Sequence, residues 1–275
     1  MKMQKLENQV AWISGGASGM GEATAKLFAA EGARIAIIDV QTDRGRSVEA
    51  GIRADGGQGL FIECDVSSEA QVRASIEQTV KHFGGLQILV NCAGVARFKP
   101  LHEFTEKEWE WVMGVNLKSM FFSVKHAIAH LRRNRRSYVV NIGSISCFVG
   151  DAGEAVYSAS KGGVLQLSRS IALEYAAEGL RCNCLCPGIT DTPMLRYHLS
   201  LSGQEGTLAK RLRRVPMGVA LTPDDIAKSV LFLSCEDSAG ITGTSLLIDG
   251  GYLAAAEWEA PVNTAFMESP KDVSP

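Results

Sequence analysis

The sequence predicts one doubly wound α/β domain built on a mostly parallel, seven-stranded sheet. Short apolar, β-branched runs recur along the 275 residues, and amphipathic segments with apolar residues three and four positions apart lie between them. Near-continuous apolar strands that alternate with such helices are typical of a parallel sheet covered on both faces. The strands are predicted at 10–14, 34–39, 59–64, 86–91, 138–142, 180–186 and 245–249, and the helices at 20–31, 42–55, 69–83, 106–132, 157–177 and 223–234.

Two segments interrupt this alternation. Residues 190–221 form a long connection of mixed composition, and connections of that length are usually functional lids or disordered. Residues 252–275 form a tail: its "YLAAAEWEA" part is expected to dock on a neighbour, and its "ESPKDVSP" end is expected to be disordered. Because no Pro/Gly/Ser-rich linker or internal repeat divides the chain, we expect one domain over 1–251, lid included, followed by a C-terminal tail over 252–275.

Composition and charge limit the class of partner. A net charge of −2 and a pI of about 6.2 argue against nucleic acid or an anionic membrane, which leaves small molecules as the expected partners. The seven cysteines are odd in number and scattered through predicted strands, so they are interpreted as buried apolar residues of a cytoplasmic protein. Since no apolar stretch approaches about 18 residues, the chain is expected to be neither secreted nor membrane-spanning.

The first predicted strand runs directly into the glycine-rich stretch "SGGASGMGEA", Ser14 to Ala23. Gly15, Gly19 and Gly21 suit a tight turn, a close approach of the backbone to a phosphate, and close packing of the helix that begins there. A glycine triplet alone is a weak signal, and a glycine-rich turn that binds nothing is the alternative. Its position between a strand and a helix favours a dinucleotide-binding loop of the Rossmann type.

The second predicted strand ends in Asp39, 18 residues beyond Gly21. An acid about 20 residues after the glycines hydrogen-bonds the 2′-hydroxyl of the cofactor's ribose. Asp39 would repel a 2′-phosphate, and Val40 supplies no compensating cation, so NAD is favoured over NADP. The alternative for Asp39 is a carboxylate that caps its own loop.

The stretch "YSASK", Tyr157 to Lys161, opens a predicted core helix. Residues four apart lie on the same face of a helix, so the phenol and the ammonium can point into one pocket. A lysine charge nearby would lower the pKa of the tyrosine from about 10 and make it a usable acid and base. For an isolated Y-x-x-x-K pattern, a surface tyrosine beside a surface lysine is the alternative.

Taken together, these motifs give the chain a family resemblance. It resembles the short-chain dehydrogenases/reductases in "GGASGMG", "NCAG" (91–94), "NIGS" (141–144), "YSASK", "CPGITDT" (186–192) and "DGG" (249–251), which occur in family order over about residues 6–252. The resemblance implies a catalytic tetrad. Tyr157 would be the acid/base and would also contact the cofactor, and Lys161 would lower the pKa of Tyr157 and bind the nicotinamide ribose. Ser144 would polarise the substrate oxygen, and Asn116 would hold a water that links Lys161 to solvent.

The same resemblance implies the remaining cofactor contacts. Asp65 and Val66 would contact the adenine, and Asn91, Ala93 and Gly94 would lie beside its ribose. Pro187, Gly188 and Thr192 would fix the nicotinamide carboxamide, and Ile189 would pack on its ring. The glycine-loop and ribose contacts would come from Ser14, Gly15, Ser18, Gly19, Met20, Gly21, Asp39 and Val40.

No metal site is predicted. Cys182, Cys184 and Cys186 alternate, so they share one face of a strand, but three thiols without a nearby histidine favour core packing over a metal site. The basic run "KRLRR", 210–214, could steer an acidic substrate or form the solvated face of a lid helix, and the second interpretation is favoured.

The expected function is reversible, NAD(H)-dependent oxidation of a secondary alcohol to a ketone by hydride transfer. The resemblance also implies a homotetramer in which helices 106–132 and 157–177 pair across a two-fold axis. The substrate pocket is expected from Val95 to Phe98, residues 146–154 and the lid residues Met194, Leu195, Tyr197 and Leu199, with Glu154 as a polar group. The alternatives are an NADPH-dependent 3-oxoacyl thioester reductase, against which Asp39 and Gly16 count, and a non-catalytic NAD-binding scaffold or sensor.

Overall fold

A computed structural model describes residues 4–201 and 206–254 and contains the expected parallel sheet. All seven strands pair in parallel in the order β3-β2-β1-β4-β5-β6-β7, which confirms the fold class. The chain reverses direction across the sheet between β1 and β4, and ligands of such sheets bind at the carboxyl ends of the strands near that point. The strands are β1 Val10–Ser14, β2 Arg34–Asp39, β3 Gln58–Glu63, β4 Ile88–Asn91, β5 Ser137–Ile142, β6 Leu180–Pro187 and β7 Ser245–Ile248.

Helices cover both faces of the sheet. One core cluster lies beneath α1, α2 and α9 and contains Phe28, and the other lies beneath α3, α5 and α6 and contains Trp12. Every apolar side chain of β1 is buried, as the near-continuous apolar run requires of a central parallel strand. The helices are α1 Gly19–Ala30, α2 Thr42–Ala54, α3 Glu69–Phe83, α4 Glu106–Met113, α5 Ser119–Leu131, α6 Ala155–Tyr175, α7 Pro193–Leu201, α8 Gly206–Leu212 and α9 Pro223–Leu233.

The segment predicted as one helix over 106–132 is interrupted. A π-helical turn, Gly114–Lys118, separates α4 from α5. The cause is tertiary: Asn116 in this turn is fully buried and its amide donates hydrogen bonds to Val95 O at 2.9 Å and Ser160 Oγ at 3.0 Å. Turns of this kind occur often at functional sites.

The long connection over 190–221 is largely helical. It contains α7 and α8, and a parallel bridge between Thr190 and Leu221 joins its two ends. Residues 202–205 and the predicted C-terminal tail from 255 to 275 lie outside the described residues. None of the helices in 4–201 and 206–254 combines the length and apolar composition needed to span a bilayer.

A buried polar network joins two strands to two helices. Ser123 of α5 donates to Asn91 Oδ1 of β4 at 2.7 Å, and Asn91 Nδ2 donates to Asn141 Oδ1 of β5 at 2.7 Å. Asn141 Nδ2 then donates to Ser168 Oγ of α6 at 2.9 Å. All four residues are almost completely inaccessible to solvent, so each polar group is satisfied by the next.

Candidate active site

A cavity of about 640 Å³ opens at the carboxyl ends of β5 and β6. It lies between the start of α6 and the lid helices, on the same carboxyl edge of the sheet as the reversal of strand order between β1 and β4. Both Ser144 and Tyr157 line it. Its wall also contains Met20, Ala96, Phe98, Val149, Glu154, Pro187, Gly188, Ile189, Thr192, Met194, Leu195, His198 and Arg211.

Tyr157 and Lys161 share one face of α6, as their spacing predicts. The Lys161 ammonium lies 5.6 Å from the centroid of the Tyr157 ring. Lys161 is 4% exposed, and its Nζ donates a 2.8 Å hydrogen bond to the main-chain oxygen of Ile142 at the end of β5. This bond fixes the buried charge next to the phenol and leaves two ammonium protons for other partners.

Ser144 follows the end of β5. It adopts an extended conformation and caps a short 3₁₀ turn, Ile145–Cys147, in which its Oγ accepts from Ser146 N at 3.1 Å. The same oxygen lies 3.2 Å from Ser146 Oγ. Ser146 also lines the cavity. The strand end and the turn therefore present a hydroxyl to the same space that Tyr157 faces.

Asn116, the fourth residue of the predicted tetrad, stabilises the loop after β4. Its Oδ1 accepts from Val95 N at 2.8 Å, while both of its amide protons are used by Val95 O and Ser160 Oγ. A β-carbon at Gly94 would lie 3.6 Å from Asn116 Oδ1 and 3.8 Å from Lys161 Nζ. Asn116 and Lys161 thus border the same short loop, and the water-holding role of Asn116 stays a prediction.

The glycine loop has the close backbone packing that a phosphate cradle requires. Gly15 has a φ of +66°, and a β-carbon there would lie 2.9 Å from Ala93 N. A β-carbon at Gly21 would overlap the main-chain oxygen of Gly15. Ser18 is the extended residue before α1, whose first turn is Gly19 and Met20. Amide groups at this helix start are therefore open to an anion.

Asp39 connects the glycine loop to the end of β2. Its Oδ2 accepts from Ala17 N at 3.1 Å, and its Oδ1 accepts from Gln41 N at 3.0 Å. The loop-capping interpretation is therefore correct for its main-chain contacts, and a ribose hydroxyl would have to share these oxygens. Val40 beside it is 61% exposed. At Gly16, a β-carbon would lie 2.9 Å from Ile37 Cγ2, so the loop has little room there for a basic side chain.

The other predicted cofactor residues follow the strand ends. Asp65 and Val66 follow β3, and Asp65 Oδ1 accepts from Ser67 N at 2.9 Å. The predicted contacts Ser14 and Asn91 turn their side chains inward: Ser14 Oγ accepts from Ala93 N at 3.2 Å, and Asn91 belongs to the buried polar network. Only their main chains could face a cofactor. Ala93 and Gly94 continue from β4 toward Lys161.

The turn after β6 brings the lid next to the glycine loop. A β-carbon at Gly188 would lie 2.8 Å from Asp249 Cα, so the turn at Pro187 and Gly188 requires glycine. A β-carbon at Gly19 would lie 3.6 Å from Thr192 Cγ2. Ile189 and Thr192 therefore lie on the cavity side of this turn, close to the cradle.

The lid contributes a different set of residues from the one predicted. Met194 and Leu195 line the cavity as expected, but Tyr197 and Leu199 do not, and His198 does. The reason is helical phase: positions 194, 195 and 198 share a face of α7, and Tyr197 is 53% exposed on another. The predicted contacts at Ala96, Phe98 and Glu154 are part of the cavity wall.

The alternating cysteines belong to the core. Cys184 and Cys186 form a buried cluster with Val164 and Leu165 of α6, which is the core packing that the sequence favours. The third thiol near them is Cys147 rather than Cys182, and the three sulfur atoms lie within 4.8 Å of one another. The pKa of Cys186 is raised to about 12. The main cause is a hydrogen bond with Cys147, and burial adds to the effect. All seven cysteines are free thiols.

Glu154 is the acidic side chain closest in sequence to Tyr157 within the cavity wall. It is 8% exposed, and burial is the main cause that raises its pKa to about 7. Asp151 nearby adds to this effect, whereas Arg211 opposes it. Near neutral pH this carboxyl group is therefore only partly ionised, whereas most surface glutamates become protonated only in acid.

The raised pKa makes stability depend on pH. Folded Glu154 binds its proton more tightly than the unfolded chain does, so its contribution to the free energy of unfolding falls as pH rises from about 4.5 to about 7. In urea unfolding, the contribution of Glu154 to the free energy of unfolding of the wild type should decrease by about 2 kcal/mol between pH 5 and pH 8. We expect this decrease to be absent in Glu154→Gln. The exposed Glu110→Gln serves as a control, and parallel pH profiles for wild type and Glu154→Gln would contradict the assignment.

The basic run 210–214 contributes side chains to the cavity wall, although the sequence favoured a solvated helix face for it. Its side chains are partly solvated, as expected, but Lys210, Arg211, Arg213 and Arg214 all line the cavity. The sequence showed the charges without showing the direction of α8. Arg214 also lies over the ring of Tyr252 at 5.2 Å, which holds the end of α8 against the chain that follows β7.

Known proteins resemble this chain over most of its length. A family model described as Enoyl-(Acyl carrier protein) reductase matches residues 15–253. The 4-formylbenzenesulfonate dehydrogenase of Comamonas testosteroni is 36% identical over 247 residues, which cover 90% of this chain and 98% of that protein. The cis-4-hydroxycyclohexanecarboxylate dehydrogenase of Sinomonas cyclohexanicum is 36% identical over 253 residues, which cover 91% and 99%.

The solved structures extend the likeness to three dimensions. Levodione reductase has a TM-score of 0.87 and 31% sequence identity, covering 91% of this chain and 99% of its own. The family model and the relatives match this chain over nearly its full length. The chain also has the arrangement of Ser144, Tyr157 and Lys161 that its resemblance to a known family implies. The chain belongs to the short-chain dehydrogenase/reductase family.

Proposed function

We propose that the protein is an NAD(H)-dependent dehydrogenase that reversibly oxidises a secondary alcohol to a ketone. The observation that carries this proposal is the convergence of Ser144 and Tyr157 on one cavity, with the Lys161 ammonium 5.6 Å from the tyrosine ring. Oxidation of an alcohol requires a base for the hydroxyl proton and a hydrogen-bonding group at the oxygen whose charge changes. These three side chains supply both.

Each residue has one task in the proposed reaction. Tyr157 takes the proton from the substrate hydroxyl, while Ser144 hydrogen-bonds the same oxygen. Lys161, held by Ile142 O, stabilises the phenolate form of Tyr157 that accepts this proton, and its remaining protons connect to solvent through a water at Asn116. The bound nicotinamide supplies the hydride acceptor. In the reverse direction Tyr157 returns its proton to the carbonyl oxygen.

The glycine loop and Asp39 favour NAD as the cofactor. The main-chain amides at the start of α1 can bind a pyrophosphate, and Gly15 and Gly21 allow the close backbone packing that gives the loop this shape. Asp39 is 7% exposed and the adjacent Val40 carries no charge, so a 2′-phosphate would meet a carboxylate without a neighbouring cation. This arrangement also counts against the NADPH-dependent 3-oxoacyl thioester reductase.

The substrate class follows from the cavity and the relatives. Phe98, Val149, Met194 and Leu195 give the cavity apolar walls that suit a ring or another compact carbon body. One relative acts on a hydroxylated cyclohexane that bears a carboxylate, and another acts on an aromatic compound that bears a sulfonate. We propose an alicyclic or similarly compact alcohol.

The first test measures nicotinamide absorbance with NAD and with NADP. The oxidised cofactors are tested with cyclohexanol, 4-methylcyclohexanol, 4-hydroxycyclohexanecarboxylate and its methyl ester. NADH and NADPH are tested with the matching ketones and a 3-oxoacyl thioester. Turnover with NAD supports the dehydrogenase. Preference for NADPH with a 3-oxoacyl thioester would favour the alternative reductase. Tight NAD binding without turnover of any compound would favour the non-catalytic scaffold.

We further propose that the protein is cytoplasmic and forms a homotetramer. Each subunit consists of one domain over 1–251 and a C-terminal tail over 252–275. Large apolar side chains on α4, α5 and α6 support the oligomer: Leu173 is 84% exposed, Phe121 49% and Trp109 40%. Pairing of these helices across a two-fold axis would cover such side chains. Seven free thiols fit a reducing compartment. Light scattering is expected to give a tetramer, and a monomer at all concentrations would contradict it.

A further inference from the structure

Four basic side chains of the lid face the same cavity as Tyr157. They are Lys210, Arg211, Arg213 and Arg214. Within residues 4–201 and 206–254, none of the four forms an ion pair with a carboxylate, whereas Arg196 on α7 makes a two-bond pair with Asp191 at 2.7 Å. Positive charge is thus concentrated at the cavity in a protein whose net charge is −2.

The acids in the cavity wall do not neutralise this charge. Asp151 and Glu154 are the acids that line it among the described residues, against four cations. Burial raises the pKa of Glu154 to about 7, so this group carries only part of a negative charge at neutral pH. His198 adds little positive charge, because burial, Arg97 and Arg211 lower its pKa.

Arg211 is the cation best placed to bind a ligand. It is half-buried, unlike the exposed Lys210, Arg213 and Arg214, and its charge acts on both Glu154 and His198. Glu154 and Tyr157 line the same cavity, so the guanidinium faces the space that the phenol faces. A guanidinium binds a carboxylate or sulfonate through two parallel hydrogen bonds, and partial burial strengthens them.

We propose that the substrate carries an acid group, a carboxylate or a sulfonate, which Arg211 binds at the lid end of the cavity while the hydroxyl lies at Tyr157. The other three cations raise the local concentration of such anions and are not required for orientation. The apolar wall between the two ends accommodates the carbon body. This inference rests on the proposed dehydrogenase function and adds the chemistry by which substrates are selected.

The test compares an acid with its neutral counterpart in matched variants. 4-Hydroxycyclohexanecarboxylate, 4-hydroxycyclohexanesulfonate, the methyl ester and 4-methylcyclohexanol are assayed with wild type, Arg211→Gln, Arg211→Lys and the control Arg73→Gln. Arg73 is an exposed arginine on α3, remote from the cavity. Calorimetric Kd values for the same compounds are measured with NADH present. Because an alcohol does not react with the reduced cofactor, binding is read independently of turnover.

We expect wild type to bind one or both acids about 10- to 100-fold more tightly than the ester. Arg211→Gln should lose this preference through a higher KM for the acids, and Arg211→Lys should recover part of it. The control Arg73→Gln should keep the wild-type KM and kcat for every compound. The preference should also decline with added salt. Which acid is preferred distinguishes carboxylate from sulfonate.

Three results would overturn the inference. They are equal affinity for acid and ester in wild type, failure of both acids to bind, and an Arg211→Gln effect that falls on cofactor affinity instead of the acid. Tyr157-dependent turnover of 4-methylcyclohexanol without preference for acids would leave the dehydrogenase function standing and reject only the acid-binding role. Lack of turnover for every alcohol would reject the function itself, while the Kd values would still decide the role of Arg211.

Discussion

Replacing Tyr157 with phenylalanine is expected to lower kcat by about 10²- to 10⁴-fold, the usual contribution of a positioned acid/base. The substitution removes only the phenolic oxygen. The ring that packs at the start of α6 remains, and the hydrogen bond from Lys161 to Ile142 O does not involve the phenol. The Kd for NAD should therefore change by less than about threefold. Stopped-flow absorbance at 340 nm and a fluorescence titration measure the two quantities.

A tyrosine elsewhere on the same helix provides the control for this substitution. Tyr175 is the last residue of α6, and Tyr175→Phe removes the same atom far from the cavity. We expect its kcat to equal that of wild type. If Tyr157→Phe kept more than about a tenth of the wild-type kcat, the proton would have to pass through another group, and Ser144 would be the residue to replace next.

Asp39→Ser combined with Val40→Arg is expected to reverse the cofactor preference. Removal of the carboxylate would take away the ribose hydrogen bonds proposed for Asp39 and the repulsion of a 2′-phosphate, and the new guanidinium can bind that phosphate. The ratio of the Kd values for NAD and NADP should change by about 10²- to 10⁴-fold. Titration of both cofactors without substrate measures this ratio, and kcat/KM with each cofactor should follow it.

The structural role of Asp39 requires two controls. Because its carboxylate also accepts from Ala17 N and Gln41 N, Asp39→Ser alone should weaken the loop and lower the melting temperature. Val40→Arg alone leaves these bonds in place, so any gain in NADP affinity there reports the new charge. Asp43→Asn, an exposed change at the start of α2, should leave both Kd values unchanged. An unchanged NAD to NADP ratio in the double variant would refute the assignment of Asp39.

The sequence was sufficient for the centre of the sheet because the central strands are buried on both faces. Runs such as Val10–Ser14 and Arg34–Asp39 have no polar alternation to confuse with a surface strand, so their bounds in the structure match the predicted ones. The π-helical turn was not predictable, because it depends on the hydrogen bonds between Asn116 and Val95, two residues 21 positions apart. Local periodicity contains no information about such a contact.

The candidate site shows the same division between local and tertiary information. Tyr157 and Lys161 could be paired from their spacing alone, since a helix places i and i+4 together. The lid could not be treated in this way, because its two short helices take their orientation from the bridge between Thr190 and Leu221 and from contacts with the glycine loop. For that reason Tyr197 was predicted in the cavity where His198 lies.

The buried network of Ser123, Asn91, Asn141 and Ser168 constrains how this protein can change over evolutionary time. Each amide receives its hydrogen-bond partners from the next residue, so one substitution leaves a buried polar group unsatisfied at a cost of about 1–3 kcal/mol. A path from this network to an apolar one therefore passes through less stable single mutants. Substitutions at the four positions are therefore expected to occur together. Because the network joins β4 and β5 to α5 and α6, they would also affect the position of α6 and of Tyr157 on it.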